Sequence, residues 1–179
     1  MKQQIRLNVF ETNSSTQHAL VIKSRYRNRK IEDGVPEDVK LPEKIQLFSM
    51  FSSWADRENV NLTKIETRIN YLFNALLSWD VDKEYLIRFL SYLNRLGIKS
   101  ELCELDPDAD YYDLMPRDFI EDLMGVHHES IFLAYIFADD IFNDSYADDC
   151  GSWEKQCEWE DTIAKFSKGK DIISLKTRC

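Results

Sequence analysis

A polar segment near the start of the chain gathers the residue types that nucleophilic catalysis needs. Residues 10–18 hold one carboxylate, four hydroxyls and one imidazole within nine positions. In one interpretation Ser14 or Ser15 is a nucleophile or a phosphate ligand. His18 is then the general base, and Glu11 orients its imidazole. In the other interpretation the segment is a polar turn bonded to nearby backbone groups. We favour the turn because no glycine lies close enough to form a phosphate-binding nest.

The same segment resembles the opening of a set of uncharacterised proteins from phages and gut-dwelling bacteria. Those proteins begin with a strand, then Val-Phe-Glu-Thr-Asn-Ser-Ser-Ser and, shortly afterwards, His-Ser. This chain matches from Val9 to Ser15 and again at His18. It departs at Thr16 and Ala19, where the family usually has serine. The resemblance covers roughly the first 22 residues. It implies a phage or mobile-element origin, and it implies no particular reaction.

The charge of the chain is strongly divided. Residues 101–161 hold nineteen acidic residues against two basic ones, Arg117 and Lys155, a net charge of −17. The rest of the chain holds 21 basic and 13 acidic residues, a net charge of +8. An acidic block of this density repels nucleic acid and attracts basic surfaces, divalent cations or the basic part of a second copy. We therefore expect the main contact surface to lie within residues 101–161.

Two groups of aspartates in the acidic block are the candidate partner-binding residues. Carboxylates spread over a folded surface can imitate duplex phosphates and so occupy the nucleic-acid groove of a basic protein. A solvated surface and a Mg²⁺ site for phosphoryl chemistry are the alternatives. An EF-hand is disfavoured because Tyr111 and Arg117 stand where that loop needs glycine and glutamate. The candidates are Asp106, Asp108, Asp110, Asp113, Asp139, Asp140, Asp144, Asp148 and Asp149.

A run of cations, the basic stripe, follows the polar segment. In an extended segment four of these cations would fall on one face, with Tyr26 among them. Such a row can track a nucleic-acid backbone, which makes contact with guide RNA or DNA one hypothesis. The second is a solvated edge strand guarded by charge against aggregation. The third is contact with the acidic block of a second copy, which would give a homodimer. The residues of the stripe are Lys23, Arg25, Arg27, Arg29 and Lys30.

Hydrophobic periodicity predicts an α+β fold. It has an N-terminal β-hairpin, with strands at 3–10 and 19–22, a central, predominantly helical region and a C-terminal strand at 171–177. The terminal strands are expected to pair. Residues 24–42 are predicted as an exposed loop or an edge strand. A first helix after Pro42 would place Ile45, Phe48, Phe51 and Trp54 on one face. Further helices are predicted at 63–76, 82–97, 116–125, about 128–142 and 153–167, with a short strand at 99–105.

Bulk composition bounds the domain organisation and the compartment. A chain of 179 residues with 44% apolar residues fits one domain. We divide it into a β-rich part at 1–42, a helical core at 43–98 and an acidic mixed part at 99–179. No apolar stretch approaches the ~20 residues of a membrane helix, and the first residues lack the apolar run of a signal peptide. The cytoplasm of a bacterial host is therefore the expected compartment.

Cysteine usage gives little support for a metal site. The four cysteines have no tight pairing, which suits reduced thiols. A zinc site of Cys103, Cys150 and Cys157 with His127 or His128 is disfavoured because the chain has no Cys-x-x-Cys pair. We therefore expect no metal and no cofactor.

Together these observations favour a non-enzymatic protein that binds a host nucleic-acid-binding protein or ribonucleoprotein. The most concrete version is an inhibitor of a defence nuclease such as a CRISPR nuclease, since anti-CRISPR proteins are similar in size and acidity by analogy of class. The alternative is a small enzyme or a nucleotide- or phosphate-binding domain built on residues 11–18. Aromatic residues interleaved with the acidic block would anchor a protein interface. They are Tyr111, Tyr112, Tyr146, Trp153 and Trp159.

Overall fold

The computed structural model describes residues 16–49, 60–78, 83–103, 105, 115–147 and 152–176. Within these ranges the chain is an α+β fold with strands near both ends and helices in the middle, as the sequence predicts. The elements in chain order are β1 (Thr16–Lys23), β2 (Lys44–Leu47), α1 (Ile65–Ser78), α2 (Lys83–Arg95), β3 (Lys99–Leu102), α3 (Arg117–Met124), α4 (Glu129–Ile136), β4 (Asp140–Ala147), α5 (Trp153–Phe166) and β5 (Ile172–Lys176).

Strand β1 lies at the centre of a three-stranded antiparallel sheet, between β4 and β5. Its four residues from Ala19 to Ile22 are fully buried because both faces of the sheet are covered. Leu20 and Ile22 pack into the main helical core, whereas Ala19 and Val21 pack against α5. The pairing of β1 with β5 confirms the expected contact between the terminal strands. The predicted strand at 3–10 lies outside the described residues.

Helical periodicity predicts α1, α2 and α3 correctly, and α5 forms where residues 153–167 have a helix-like but ambiguous pattern. Helix α1 buries the predicted stripe from Ile69 to Leu76 in the main core. Helix α2 ends just before Gly97, whose φ of 81° is in the left-handed region that glycine adopts at low cost. Helix α3 begins after Pro116 and ends before Gly125, as the sequence indicates. The last predicted strand and the short strand at 99–105 are also confirmed, as β5 and β3.

The predicted helix after Pro42 is wrong, because Lys44–Leu47 forms β2, which pairs in parallel with β3. Ile45 and Leu47 are buried and alternate with exposed neighbours, which is the two-residue period of a strand. The spacing of three between Ile45 and Phe48 suggested a helix, but Phe48 is 44% exposed. The predicted positions Phe51 and Trp54 lie outside the described residues.

The predicted helix at 128–142 is too long. Helix α4 ends at Ile136, and residues from Asp140 onwards form β4. Asp140 and Asp144 stand four residues apart, a spacing that fits a helix as well as a strand. The pairing of all eight β4 residues with β1 decides between the two, because tertiary contacts override local preference.

Arg68 of α1 fixes the end of α4. The residue is only 3% exposed, yet its guanidinium group bonds carbonyl oxygens rather than a carboxylate. Its Nη1 donates to the carbonyl oxygens of Ile136 and Ala138, both at 2.9 Å, and its Nε donates to that of Leu62. The cation therefore satisfies carbonyls that the end of a helix leaves unpaired, where positive charge is also favoured by the helix dipole. Tyr135 donates back to the Arg68 carbonyl at 3.3 Å.

Candidate protein-binding surface

Helix α5 covers the outer face of the three-stranded sheet. Its buried residue Ile163 packs on Ala19 and Val21 of β1. The Trp159 ring lies 6.0 Å from the ring of Tyr146, and Phe166 lies 5.8 Å from Phe142, so two aromatic pairs join the helix to β4. The Ser152 side chain accepts a hydrogen bond from the Lys155 N–H and caps the start of the helix. These contacts turn the opposite side of α5 towards solvent.

The solvent side of α5 carries the feature that we call the α5 acidic face. It consists of Trp153, Glu154, Glu158 and Asp161, all exposed. The three carboxylates are spaced by four and then three residues, so they form one row along the helix. Glu154 lies in the first turn of α5, where the helix dipole stabilises a carboxylate. Trp153 is 76% exposed, whereas Tyr146 and Trp159, predicted as anchors beside it, are largely occupied by packing on each other.

The carboxylates of the α5 acidic face make no ion pair with any described residue. By contrast, every arginine in the described part of the chain has a partner within the chain. A carboxylate lies within 3.0 Å of Arg25, Arg88, Arg95 and Arg117. Arg27 lies 4.0 Å from a carboxylate. Backbone carbonyls accept hydrogen bonds from Arg29 and Arg68. Arginine is the side chain best shaped for phosphate, and here its donors are engaged internally.

Asp139 and Arg25 are each other's partners. Sequence reasoning assigned them to two different surfaces, the acidic block and the basic stripe. The Arg25 Nη2 lies 2.7 Å from one Asp139 carboxylate oxygen, and the Arg25 backbone N–H donates to the other oxygen at 3.1 Å. The contact between basic stripe and acidic block that was considered for a homodimer thus occurs within one chain at this pair.

Of the other aspartates, Asp140 and Asp144 are exposed on β4, and the Asp140 carboxylate accepts the Ile141 N–H at 3.0 Å. The remaining candidates lie outside the described residues: Asp106, Asp108, Asp110, Asp113, Asp148 and Asp149. The predicted aromatic anchors Tyr111 and Tyr112 lie outside them too.

Beyond Lys23, which ends β1, the basic stripe is a loop and not an extended strand. Residues 25–28 form a turn, so its cations do not fall on one face, and that premise of the sequence interpretation is wrong. The Lys23 ammonium lies 4.7 Å from the centre of the Phe166 ring, a cation–π contact. Arg27 lies 4.0 Å from the Asp171 carboxylate, and Arg29 bonds the carbonyls of Asp33 and Gly34. Lys30 is exposed.

Tyr26, within the same loop, bonds Asp38. The Tyr26 hydroxyl donates to the Asp38 carboxylate at 2.5 Å, and Arg25 lies 3.3 Å from the same carboxylate. The Tyr26 hydrogen bond is the main reason that the pKa of Asp38 is lowered, and the nearby Arg25 charge lowers it further. The same bond raises the pKa of Tyr26. The loop is therefore held by a charged cluster at the end of β1.

Of the four catalytic candidates in the polar N-terminal segment, only His18 lies within the described residues. His18 is half-buried on β1 and borders a cleft of about 370 Å³ between β1, α5 and β5, together with Trp159, Glu160 and Lys176. The indole N–H of Trp159 is buried without a hydrogen-bond partner. Glu11, Ser14 and Ser15 lie outside the described residues, so no nucleophile can be placed beside His18.

The described part of the chain contains no arrangement of side chains that would support a metal site. There, no three side chains of His, Cys, Asp or Glu converge on a metal position. Cys103 and Cys157 are free, partly buried thiols, and Cys150 lies outside the described residues. His127 is exposed on the turn after α3, with His128 beside it. None of the helices in the described ranges has the length and apolar character needed to cross a membrane.

Comparison of the chain with family models, with curated proteins and with solved structures gives no match. The functional inference therefore rests on the residues themselves. Sequence reasoning named Trp153 as one of five aromatic anchors, but it placed the carboxylates of the contact surface on aspartates between Asp106 and Asp149 and not on α5. The row of Glu154, Glu158 and Asp161 was readable in the spacing of four and three within a predicted helix.

Proposed function

We propose that this protein is an accessory protein of a phage or mobile element, and that it acts by binding a host protein through the α5 acidic face. The most concrete form of the proposal is an inhibitor of a nucleic-acid-binding defence nuclease, of the anti-CRISPR kind. The carboxylates would occupy the basic groove that otherwise receives phosphates. Trp153 would insert at the centre of the contact. The phage origin rests on the resemblance of Val9–Ser15 and His18 to the opening of phage proteins.

The observation that carries the proposal is an exposed tryptophan on the same helix as three exposed carboxylates that form no ion pair with any described residue. Leaving an indole ring in water forgoes roughly 2 kcal/mol of burial, since its surface is large and mostly apolar. Tryptophan is also the residue type most enriched among those that dominate binding energy at protein interfaces. Unpaired carboxylates around it favour a basic partner and speed its approach.

Binding of a protein is favoured over binding of nucleic acid by the distribution of charge. The α5 acidic face repels phosphate, and the arginines of the described residues are engaged within the chain. No described surface combines several unengaged arginines with exposed aromatic rings, which is the arrangement that single-stranded nucleic acid selects.

The test compares two triple variants that each replace three acidic residues with lysine, one on the α5 acidic face and one elsewhere on the surface. The tagged protein captures partners from a lysate of a bacterial host at low and at high salt. We expect a basic nucleic-acid-binding protein to be recovered at low salt and lost at high salt, because screening weakens exposed charge contacts. The triple variant Glu154→Lys, Glu158→Lys, Asp161→Lys should lose it. The control Glu37→Lys, Glu43→Lys, Glu66→Lys changes three exposed acids elsewhere and should retain it.

A second pair of variants tests the role of Trp153. Trp153→Ala should lower the affinity for the captured partner by about 2 kcal/mol, roughly 30-fold. Val126→Ala removes another exposed apolar side chain, 69% exposed on the turn after α3, and should change the affinity little. Equal recovery by wild type and by the α5 triple variant would rule out the proposed surface.

A further inference from the structure

Among the described residues, the small sheet of β2 and β3 has one closed edge and one open edge. On the closed side, two buried side chains of α1 bond the backbone of β2 and the residue after it. Asn70 donates to the carbonyl of Gln46 at 3.1 Å and accepts the N–H of Phe48 at 3.1 Å. Asn74 donates to the carbonyl of Phe48 at 2.9 Å. These amides replace a neighbouring strand, so the outer edge of β3 is the edge left for pairing.

All four residues of β3 are exposed. The clearest case is Leu102, because it lies in register with Leu47 of β2 and so on the same face of the sheet. Leu47 is 1% exposed, whereas Leu102 is 65% exposed. The inner face of the sheet is thus covered at β2 and uncovered at β3. Two-stranded sheets are marginal on their own, and parallel strands are normally buried on both faces.

The backbone groups that face the open edge belong to alternate residues. The Lys99 N–H donates to the carbonyl of Glu43, and the Cys103 N–H donates to that of Leu47, so odd-numbered residues face β2. Ser100 and Leu102 therefore direct their N–H and C=O groups outwards. Unpaired groups of this kind are a template for another strand.

The charges along this edge are self-complementary about Ser100. Lys99 precedes it and Glu101 follows it. We propose that β3 pairs antiparallel with β3 of a second copy about a two-fold axis at Ser100. The two Ser100 residues then form a hydrogen-bonded pair, which matches their outward direction. Lys99 stands opposite the partner's Glu101 in the closely spaced, non-hydrogen-bonded position, where opposite charges stabilise a sheet. The product is a four-stranded sheet that continues across the dimer.

The two edges of the three-stranded sheet do not have this property. On β4, the Asp140 carboxylate occupies the N–H of Ile141. The side chains of β5 include one charge, that of Lys176, and the preceding turn carries Lys168, Lys170 and Asp171. Strand β5 itself therefore offers no pair of opposite charges like Lys99 and Glu101 of β3. Complementary charge singles out β3 among the three exposed edges in the described part of the chain.

The first experiment is sedimentation equilibrium of the full chain over a wide concentration range. The mass of one chain is 21.2 kDa, and we expect the measured mass of the wild type to approach about twice that value at the highest concentrations. Lys99→Glu should weaken the dimer at least about tenfold, because it faces the partner's Glu101. In the chain itself, Lys44 pairs with Glu101 at 2.7 Å and stands in register with Lys99, so Lys99→Glu places a second carboxylate beside Lys44 and the fold is retained. The double variant Lys99→Glu, Glu101→Lys restores opposite charges and should restore the dimer.

The second experiment is a disulfide cross-link. The Cα atoms of a hydrogen-bonded pair lie about 5.5 Å apart, within the range that a disulfide spans. Ser100→Cys should therefore form a covalent dimer on mild oxidation. Ser174→Cys, an exposed serine on β5, is the matched control, and the unchanged chain gives the baseline for its own cysteines. A monomeric mass for the wild type, an unaffected dimer in Lys99→Glu, or equal cross-linking of both cysteine variants would overturn the proposal.

Discussion

At the scale of single residues, Arg68 is the side chain on which the most backbone depends. Its burial lowers its pKa, but the basicity of a guanidinium keeps it charged. Replacing it with methionine keeps most of the volume and removes the donors. We expect Arg68→Met to lower the free energy of unfolding by about 3 kcal/mol, because buried carbonyls at the end of α4 lose their partner. Chemical denaturation measures this difference.

The matched control for Arg68 is Arg117, whose side chain is 69% exposed and pairs with Glu121 one turn along α3. Arg117→Met should change the free energy of unfolding by no more than about 0.5 kcal/mol, as is usual for an exposed helical pair. Similar losses in both variants would show that Arg68 contributes only an ordinary surface charge.

Tyr26 and Asp38 give a pH-dependent test at the same scale. Their hydrogen bond holds the pKa of Asp38 below its ordinary value of 3.8 and that of Tyr26 above 10.0. The Asp38 contribution to stability is present above pH 3.8 and is lost as the pH falls through its folded-state pKa. The Tyr26 contribution is present below pH 10.0 and is lost as the pH rises through its folded-state pKa.

We expect Tyr26→Phe to raise the pKa of Asp38 towards 3.8, because its largest cause of lowering is removed. NMR titration of the Asp38 carboxyl carbon measures this change. Tyr85→Phe in α2 is the control and should leave the titration unchanged. If the Asp38 titration in Tyr26→Phe matches that of the wild type, the bond does not persist in solution.

At the scale of elements, the amides that close β2 set the stability of the smaller sheet. Asn74 is fully buried and also donates to the carbonyl of Asn70 at 2.7 Å. We expect Asn74→Ala to cost about 1–3 kcal/mol, because it leaves the Phe48 carbonyl without this donor. Hydrogen exchange should accelerate in Lys44–Leu47 more than in β1. Asn94→Ala changes an exposed residue of α2 and should have little effect in either measurement. Uniform acceleration in both sheets would contradict a local role for Asn74.

The elements also show what the sequence can and cannot predict. Helix α1 and the strand β5 were predictable because their apolar residues repeat with one clear period. The boundary between α4 and β4 was not, since Ile136, Phe137 and Ala138 continue the apolar run without a glycine or proline. Arg68 marks that boundary from 68 residues away, and no local pattern contains this information. The same holds for β2, which is too short for periodicity to separate from a helical turn.

The candidate surface, too, could be predicted from the sequence only in part. Trp153 and the carboxylates after it are close together in sequence, so their exposure on one helix could be predicted from the local pattern. The pairing of Asp139 with Arg25 could not, because 114 residues separate them. That pair removes a charge from each of the two surfaces that composition suggested. Charge counts along a chain therefore overestimate the charge that remains available for binding.

At the scale of the whole molecule, the two proposed surfaces belong to different sheets. The α5 acidic face lies over β1 and β4, whereas the open edge lies on β3, beside β2 and α2. Pairing through β3 therefore does not use the residues of the α5 acidic face. A dimer would present that face twice, which raises the apparent affinity for any target that can engage both copies.

The central position of β1 has a consequence for synthesis. A ribosome completes Lys23 long before it reaches the two strands that pair with it, and β5 is complete only at Lys176. At about 5–20 residues per second, this interval lasts roughly 8–30 s. Until β4 has been made at Ala147, the apolar run from Ala19 to Ile22 has neither a strand partner nor α5. Helix α5 packs on side chains of β1 and β4, so its sheet contacts can form only after both strands have been made.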